Sequence, residues 1–367
     1  MRPSLWLIVS VALLFSFGLL MVFNTTSAEI IDKASGASTH AALLKQSVYC
    51  LVGLCAGAVA FRWGYEAVIQ WSVPLLIGGS LLLLLLFVPG IGQTINGSRR
   101  WIGLFGYTFQ PSECIKILLP AVYIRWILGR EEPIHWKPFF KVLCLLALPI
   151  LLILVQPDNG TAAILFLLLT ALFFLTRIRW LYWLLPLLVM FGGAAVSAYQ
   201  LPYVRNRIEI YLHPELDLKG KGHQPHQAKI AAGSGQLLGR GFGESLQKLN
   251  YLPEARSDYI AAIFAEEMGF VGVLGLISLY VAFTFSGIAI AQQARDRAGF
   301  LFASILTIMI SIQAFMNLGI VSGLLPSKGM TLPFFSQGGS SLIVNIAALF
   351  LLLDIARKSK EEAKDAS

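Results

Sequence analysis

Residues Tyr251-Leu-Pro-Glu-Ala-Arg-Ser-Asp258-Tyr-Ile-Ala-Ala-Ile-Phe-Ala-Glu266-Glu267-Met-Gly269-Phe270 join the longest polar segment of the chain to an apolar run long enough to cross a bilayer. Asp258 stands at the boundary, and Glu266 and Glu267 lie within the run. A charged side chain inside a spanning segment is expensive, so it marks a partner, a wet cavity or a function. Glu266 and Glu267 follow Asp258 by eight and nine positions. That places them about 12–14 Å deeper along a continuous helix, too far to share a proton with Asp258. They are expected to meet other buried polar groups. Gly269 and Gly272 beyond them allow close helix packing.

Composition sets the frame around this stretch. Of 367 residues, 56% are hydrophobic and 13% charged, against about 25% charged in a soluble domain. Mean hydropathy is +0.72. Apolar runs fall near 5–24, 48–62, 71–90, 111–128, 139–155, 161–176, 179–198, 258–290, 299–322 and 340–356. The chain is therefore expected to be an all-α polytopic membrane protein with about ten transmembrane helices. The short alternating segments of a membrane β-barrel are absent. One basic residue precedes the first run and no small-residue cleavage site follows it, so an uncleaved helix is expected.

The alternate loops sort by charge. One set carries Arg2, Arg62, Arg125, Arg130, Lys137, Lys141, Arg177, Arg179, Arg295, Arg297 and the tail residues Arg357, Lys358 and Lys360. Short basic loops stay in the cytoplasm, which puts both termini there. It also accounts for the net charge of +8 without nucleic acid. The segment 199–257 then forms a large extracytoplasmic loop between helices 7 and 8. It is too irregular for a separate core, so residues 1–367 are expected to form a single transmembrane domain. Cys50, Cys55, Cys114 and Cys144 lie in or beside apolar runs and have the pattern of small buried hydrophobes.

The outer loops hold the unusual polar residues. Arg99 and Arg100 sit together in a short outer loop, against the charge rule. Pro111 suits a helix start, and Glu113 and Lys116 are spaced i,i+3 and can pair. Such a pair is either structural or, beneath two arginines, part of a polar cleft for an anion. Asp158, in the turn Gln156-Pro-Asp-Asn-Gly160, is expected to cap the next helix. The stretch Pro326-Ser-Lys328-Gly329-Met-Thr-Leu-Pro333-Phe-Phe-Ser336-Gln-Gly338-Gly339-Ser-Ser341 is too rich in proline and glycine for a helix. Irregular backbone at membrane depth survives only against protein or a water-filled cavity. In the large loop, the glycines from Gly233 to Gly243 lack a preceding strand and a GK[ST] ending, so a flexible loop is expected rather than a phosphate cradle. His213, His223 and His226 form no strong metal signature. Asp258 is either a first-turn helix residue favoured by the dipole or a general base below a cation-rich loop.

Several of these segments together resemble the SEDS family of FtsW and RodA proteins. They are Gly97-Ser-Arg-Arg-Trp-Ile, Phe109-Gln-Pro-Ser-Glu, Gln156-Pro-Asp-Asn-Gly-Thr, Gln247-Lys-Leu-x-Tyr-Leu-Pro-Glu-Ala-x-Ser-Asp258, Ala265-Glu-Glu-x-Gly-Phe and Lys328-Gly-x-Thr-Leu-Pro-Phe-x-Ser-x-Gly-Gly-Ser-Ser. They run in family order from residue 96 to 341, and Lys328-Gly329 leans toward the FtsW branch. Arg256, Ala261 and Gln337 depart from the common His, Phe and Tyr.

The resemblance implies ten helices in the bacterial cytoplasmic membrane and peptidoglycan glycosyltransferase activity on lipid II, with no nucleic acid involved. It matches the family's essential aspartate to Asp258. It also implies a class B penicillin-binding protein and other division or elongation membrane proteins as partners. A sugar hydroxyl would attack an anomeric carbon that carries pyrophosphate, a good leaving group, so one carboxylate suffices as base. Basic groups would stabilise the departing charge. The expected substrate-binding set is Arg99, Arg100, Glu113, Lys116, Asp158, Lys248, Lys328 and Ser336. A divalent cation, Mg2+ or Mn2+, on Asp258 is a competing role for that residue. A lipid II flippase or a noncatalytic scaffold are the alternative functions; the outward clustering of charge favours chemistry.

Overall fold

The computed structural model describes residues 3–32, 40–95, 98–104, 106–131, 133–184, 188, 211, 222–248, 252, 256–326 and 329–365. Its helices are α1 (Pro3–Asp32), α2 (Ala41–Trp63), α3 (Tyr65–Gln70), α4 (Ser72–Leu85), α5 (Pro111–Leu128), α6 (Trp136–Val155), α7 (Asn159–Leu175), α8 (His223–Ser234), α9 (Ile260–Gln292), α10 (Arg297–Val321) and α11 (Gly339–Asp365). Nine of the ten apolar runs are helical. The run 179–198 lies mostly outside the described residues. Six described helices are long and apolar enough to cross a membrane, and α4 and α7 are shorter apolar helices. The chain is an all-helical polytopic membrane protein in its spanning part.

Helix α5 starts at Pro111, as its fixed φ and missing donor favour. It carries Glu113, Lys116 and Arg125, yet most of its residues are buried, because α4, α6, α7 and α10 pack around it. Helix α2 lies along α11, with Gly53 and Gly57 against Ile346 and Phe350. Removing two side chains there lets the backbones approach closely, the usual device where both helices already sit among apolar neighbours. Helix α1 flanks α9.

The two chain ends share one face, where Lys360 Nζ donates to Ser4 Oγ at 3.1 Å. The same face holds a polar clasp around fully buried Asp354. Its carboxylate accepts from Tyr65 N at 3.0 Å and pairs with Arg357 at 2.8 Å and Lys358 at 3.4 Å. Lys358 also pairs with Glu66. Tyr65 Oη donates at 2.9 Å to Asp296, which caps α10 through Gly299 N at 2.7 Å. Burial and Asp296 hold the Tyr65 phenol well above its usual range, so it remains a donor. This is the basic face, and the positive-inside rule makes it cytoplasmic.

On the opposite face, the structure adds three features. The loop 91–110 contains a three-stranded antiparallel sheet, β1 (Gly92–Ile95), β2 (Ser98–Leu104) and β3 (Tyr107–Phe109), in the order β1-β2-β3. Its strands are too short for apolar alternation to announce them. Secondly, α9 is two helices joined across Gly269, which has φ 65° and ψ −167°. This backbone is open essentially to glycine alone. The 23 residues from Phe270 to Gln292 rise about 34 Å, enough to span the hydrocarbon.

The arm from Ile260 to Met268 therefore does not continue the spanning helix downward. Asn24 bonds Glu267 at its far end, and Asn317 bonds the Asp258 carbonyl at its near end. Asn24 stands 21 residues along α1 from the cytoplasmic end and Asn317 stands 20 along α10. Both are about 30 Å from that face at 1.5 Å per residue. The arm thus runs along the outer boundary, and Glu266 and Glu267 are buried in protein rather than deep in the bilayer.

Thirdly, the stretch 329–338 dips inward. Tyr280 Oη, midway along α9, donates to Pro333 O at 2.6 Å, and Gly18 of α1 lies against the Phe335 backbone. Ser336 Oγ accepts from Leu332 N at 2.8 Å, and Asn317 and Gln313 donate to the carbonyls of Met330 and Thr331 at 2.6 and 3.1 Å. Irregular backbone is tolerated here because protein groups satisfy it.

Candidate active site

A cavity of about 410 Å³ opens where this dipping stretch, the arm of α9 and the β-sheet meet. Asp258 lines it at the start of the arm. Its height is set by Asn317, whose amide donates both to the Asp258 carbonyl at 2.9 Å and to the Met330 carbonyl at 2.6 Å. The side chain lies against Gly329, where a Cβ would come within 2.9 Å of Asp258 Oδ2. A side chain there would push the carboxylate aside. Tyr259, the next residue, is buried, and burial followed by the Asp258 charge pushes its phenol well above the usual range. It stands beside Asp258 as a neutral side chain.

Two ion pairs also line the cavity. Arg100 reaches from β2 to Asp158 Oδ1 at 3.2 Å. Asp158 also accepts from Gln110 Nε2 at 2.8 Å and Ser112 Oγ at 3.3 Å. It caps α7 through Thr161 N at 3.2 Å, so the expected capping role and an ion pair coexist in one carboxylate. Deeper in, Lys116 pairs with Glu113 at 2.7 Å and donates to Gln313 Oε1 at 2.9 Å. The Gln313 amide continues to Thr331 O and to Ser341 Oγ at 3.2 Å. Lys116 is almost fully buried, yet it lines the cavity floor, so the pair is neither solvated nor sealed from the cavity.

The cavity thus gathers Arg100, Glu113, Lys116, Asp158 and Asp258 from the expected set. Three members stand elsewhere. Arg99, next to Arg100 on an alternating strand, faces out and bonds Thr94 Oγ1 at 3.2 Å. Lys248 is buried against Glu267 at 2.9 Å, Asn24 Oδ1 at 2.8 Å and Gly243 O at 2.5 Å. It neutralises a carboxylate behind the arm instead of facing the cavity. Ser336 is consumed by the turn at Leu332. Lys328 lies outside the described residues. Sequence reasoning missed Lys45 and Tyr49 of α2, along with Gln313, Thr331 and Ser341. Gln313 and Asn317 carried a signal: two polar residues four apart within an apolar spanning run share a helix face.

The glycine-rich segment after α8, expected as a flexible loop, is a fixed clasp on the arm. Ser245 Oγ donates to Glu266 at 2.5 Å, and the backbone N–H groups of Leu246 and Gln247 add bonds at 3.3 Å each. Arg240 N and Gly241 N donate to the carbonyls of Glu266 and Glu267 at 3.0 and 3.1 Å. Gly235 and Gly239 are glycines because the Ala265 and Glu267 carbonyls occupy the Cβ positions. Both glutamates are satisfied this way, which is the condition for burying charge.

The Asp258 carboxylate is the charged group that would hold a divalent cation at this end of the cavity. No group of three His, Cys, Asp or Glu side chains occurs among the described residues. This donor set suits Mg2+, which takes one or two carboxylates together with substrate phosphates and water.

The fold and site define a multi-pass membrane protein with three carboxylates and several cations around one cavity. A family profile described as cell cycle protein, FtsW/RodA/SpoVE, matches residues 4–361, and the chain belongs to this family. It is 36% identical over 354 residues to a "Probable peptidoglycan glycosyltransferase FtsW" of Geobacter sp. (strain M18), covering 96% of both chains. A protein of the same name from Thioalkalivibrio sulfidiphilus is 39% identical over 370 residues, covering 98% of this chain and 91% of that one. Among solved structures, one described as "Structural coordination of polymerization and crosslinking by a peptidoglycan synthase complex" superposes with a TM-score of 0.77 at 29% identity, covering 96% and 97%. The rod shape determining protein RodA of Thermus thermophilus superposes with a TM-score of 0.69 at 27% identity, covering 96% of each.

Proposed function

We propose that this chain, a peptidoglycan glycosyltransferase, polymerises lipid II in the outward cavity, with Asp258 as general base. Residues 1–367 act as one catalytic unit. The observation that carries the reading is that one cavity joins Asp258 to Arg100 and Lys116, together with Lys45 and Arg256. The Asp258 carboxylate takes the proton of an incoming sugar hydroxyl as its oxygen attacks the anomeric carbon. The carbon–oxygen bond to pyrophosphate breaks, the electron pair leaves with the lipid, and the configuration inverts. Because the leaving group departs as an anion, no strong acid is required, unlike the two-carboxylate arrangement of glycosidases.

Fixed cations near the leaving group lower the barrier because their charge is already in place when pyrophosphate charge develops. Asp158 orients Arg100, and Glu113 with Gln313 orients Lys116. A bound Mg2+ would add charge at the same leaving group. The chain works beside a class B penicillin-binding protein, a reading supported by its likeness to the peptidoglycan synthase complex.

The test is glycan synthesis from purified lipid II, with and without the cognate penicillin-binding protein carrying an inactivated transpeptidase serine. Wild type yields polymer and Asp258→Ala yields none. Polymer from Asp258→Ala would remove Asp258 as the base. No polymer from wild type, with labelled lipid II crossing proteoliposomes, would establish a flippase instead.

A further inference from the structure

The clasp on the arm of α9 has an apolar outer surface that neither the bundle nor the cavity uses. Leu238 is 81% exposed and Leu237 68%, and Phe242 and Leu246 are also exposed. Their position is fixed by backbone bonds at the break in α9. Phe270 N donates to Gln236 O at 2.9 Å and Val271 N to Leu237 O at 3.1 Å. Phe270 and Val271 are themselves exposed and begin a stripe that continues through Leu274, Ile277, Val281, Phe285 and Ile288. These positions recur every three to four residues, so they form one face of a helix that spans the bilayer.

The patch prolongs that membrane-facing stripe beyond the end of the span, at the height of Glu267. Its charges suit the same boundary. Arg240 stays about a third exposed while it touches Glu266 at 3.6 Å, and Glu244 is exposed between Phe242 and Leu246. A guanidinium on a flexible stem beside apolar side chains fits the phosphate level of a bilayer, with the apolar groups below it.

We infer that residues 236–246 form a foot resting in the outer leaflet. Leu237, Leu238, Phe242 and Leu246 enter the acyl boundary, and Arg240 meets lipid phosphate. The occupant is lipid because the patch is the unbroken continuation of the spanning surface of α9 and places a cation where lipid phosphates lie. Since the foot is bonded to Glu266 and Glu267, the bilayer itself sets the height of the arm. This inference is independent of the chemistry assigned to Asp258.

The test uses full-length protein with Cys50, Cys55, Cys114 and Cys144 replaced by alanine, spin-labelled at Leu238→Cys or Phe242→Cys. It is reconstituted alone in vesicles of phosphatidylethanolamine and phosphatidylglycerol. Collision rates with oxygen, which partitions into lipid, are compared with those of a water-soluble nickel chelate. Phe285→Cys serves as the membrane control and Arg99→Cys as the aqueous one. Oxygen exceeding nickel at both foot positions, as at Phe285→Cys, is the expected result. Nickel exceeding oxygen, as at Arg99→Cys, would overturn the inference by placing the patch in water. Low collision with both reagents would overturn it too, by showing that protein, such as a second copy, covers the patch. Leu237→Cys and Leu246→Cys provide a second pair if a first variant does not fold.

Discussion

Replacing Gly269 by alanine tests whether the broken helix α9 places Asp258. Gly269 has φ 65° and ψ −167°, a region in which a side chain costs about 1–3 kcal/mol. A Cβ there would also stand 2.6 Å from Leu237 O and closer still to Gly239 N, both backbone atoms that cannot swing aside. Relief requires the clasp to move off, breaking the Phe270–Gln236 and Val271–Leu237 bonds at about 1 kcal/mol each. The total is about 3–5 kcal/mol, large against the margin of any folded protein.

The assay is paired: thermal unfolding of purified protein in detergent, and lipid II polymerisation at a temperature where the variant remains folded. Gly269→Ala melts well below wild type. It also loses activity on the order of a hundredfold, because the shifted arm carries Asp258 out of register. Gly275→Ala, in the same helix with open space around it, behaves as wild type in both. Wild-type melting and activity in Gly269→Ala would refute the argument that the break is held by the clasp.

Other consequences are as direct. Lys116→Met takes the partner from the Glu113 carboxylate and from Gln313 Oε1 and destabilises by about 3–5 kcal/mol, while adding Glu113→Leu recovers most of that loss. Polymerisation stays low in the double variant, and recovery of activity with stability would make the pair structural only. Asp158→Ala frees Arg100 and removes the cap of α7, at about 1 kcal/mol for the cap. Asp158→Asn keeps a capping oxygen, so it retains the melting temperature yet loses polymerisation rate, measured side by side. Lys248→Met leaves buried Glu267 with only neutral donors, lowering the melting temperature; Lys248→Met with Glu267→Gln restores much of it, and a melt of the three proteins decides the point.

The spanning helices were legible because a bilayer imposes length and hydropathy on each of them separately. Asp258, Arg100, Lys116 and Asp158 were legible as charges out of place in an apolar chain. Three features were not. The break at Gly269 sits inside a continuous apolar run, and hydropathy is blind to φ. The dip at 329–338 depends on donors from Tyr280, Gln313 and Asn317, all on other elements, and on Ser336 Oγ as an acceptor within the dip itself. Lys248 was grouped with the substrate cations because its sequence neighbours suggested it, whereas its position follows from Asn24, which is 224 residues away. Local patterns revealed which residues were costly; long-range contacts decided which of them met.

The pairing of α2 with α11 bears on how the protein is made. The notch left by Gly53 and Gly57 is filled by Ile346 and Phe350, and the Tyr65 amide is satisfied by an aspartate 289 positions later. Until the ribosome releases α11, α2 has no mate and the corner at Tyr65 no acceptor. Nascent chains must therefore wait in the membrane with an open seam, exposed to membrane proteases. A chain stopped before Gly339 would never close that seam.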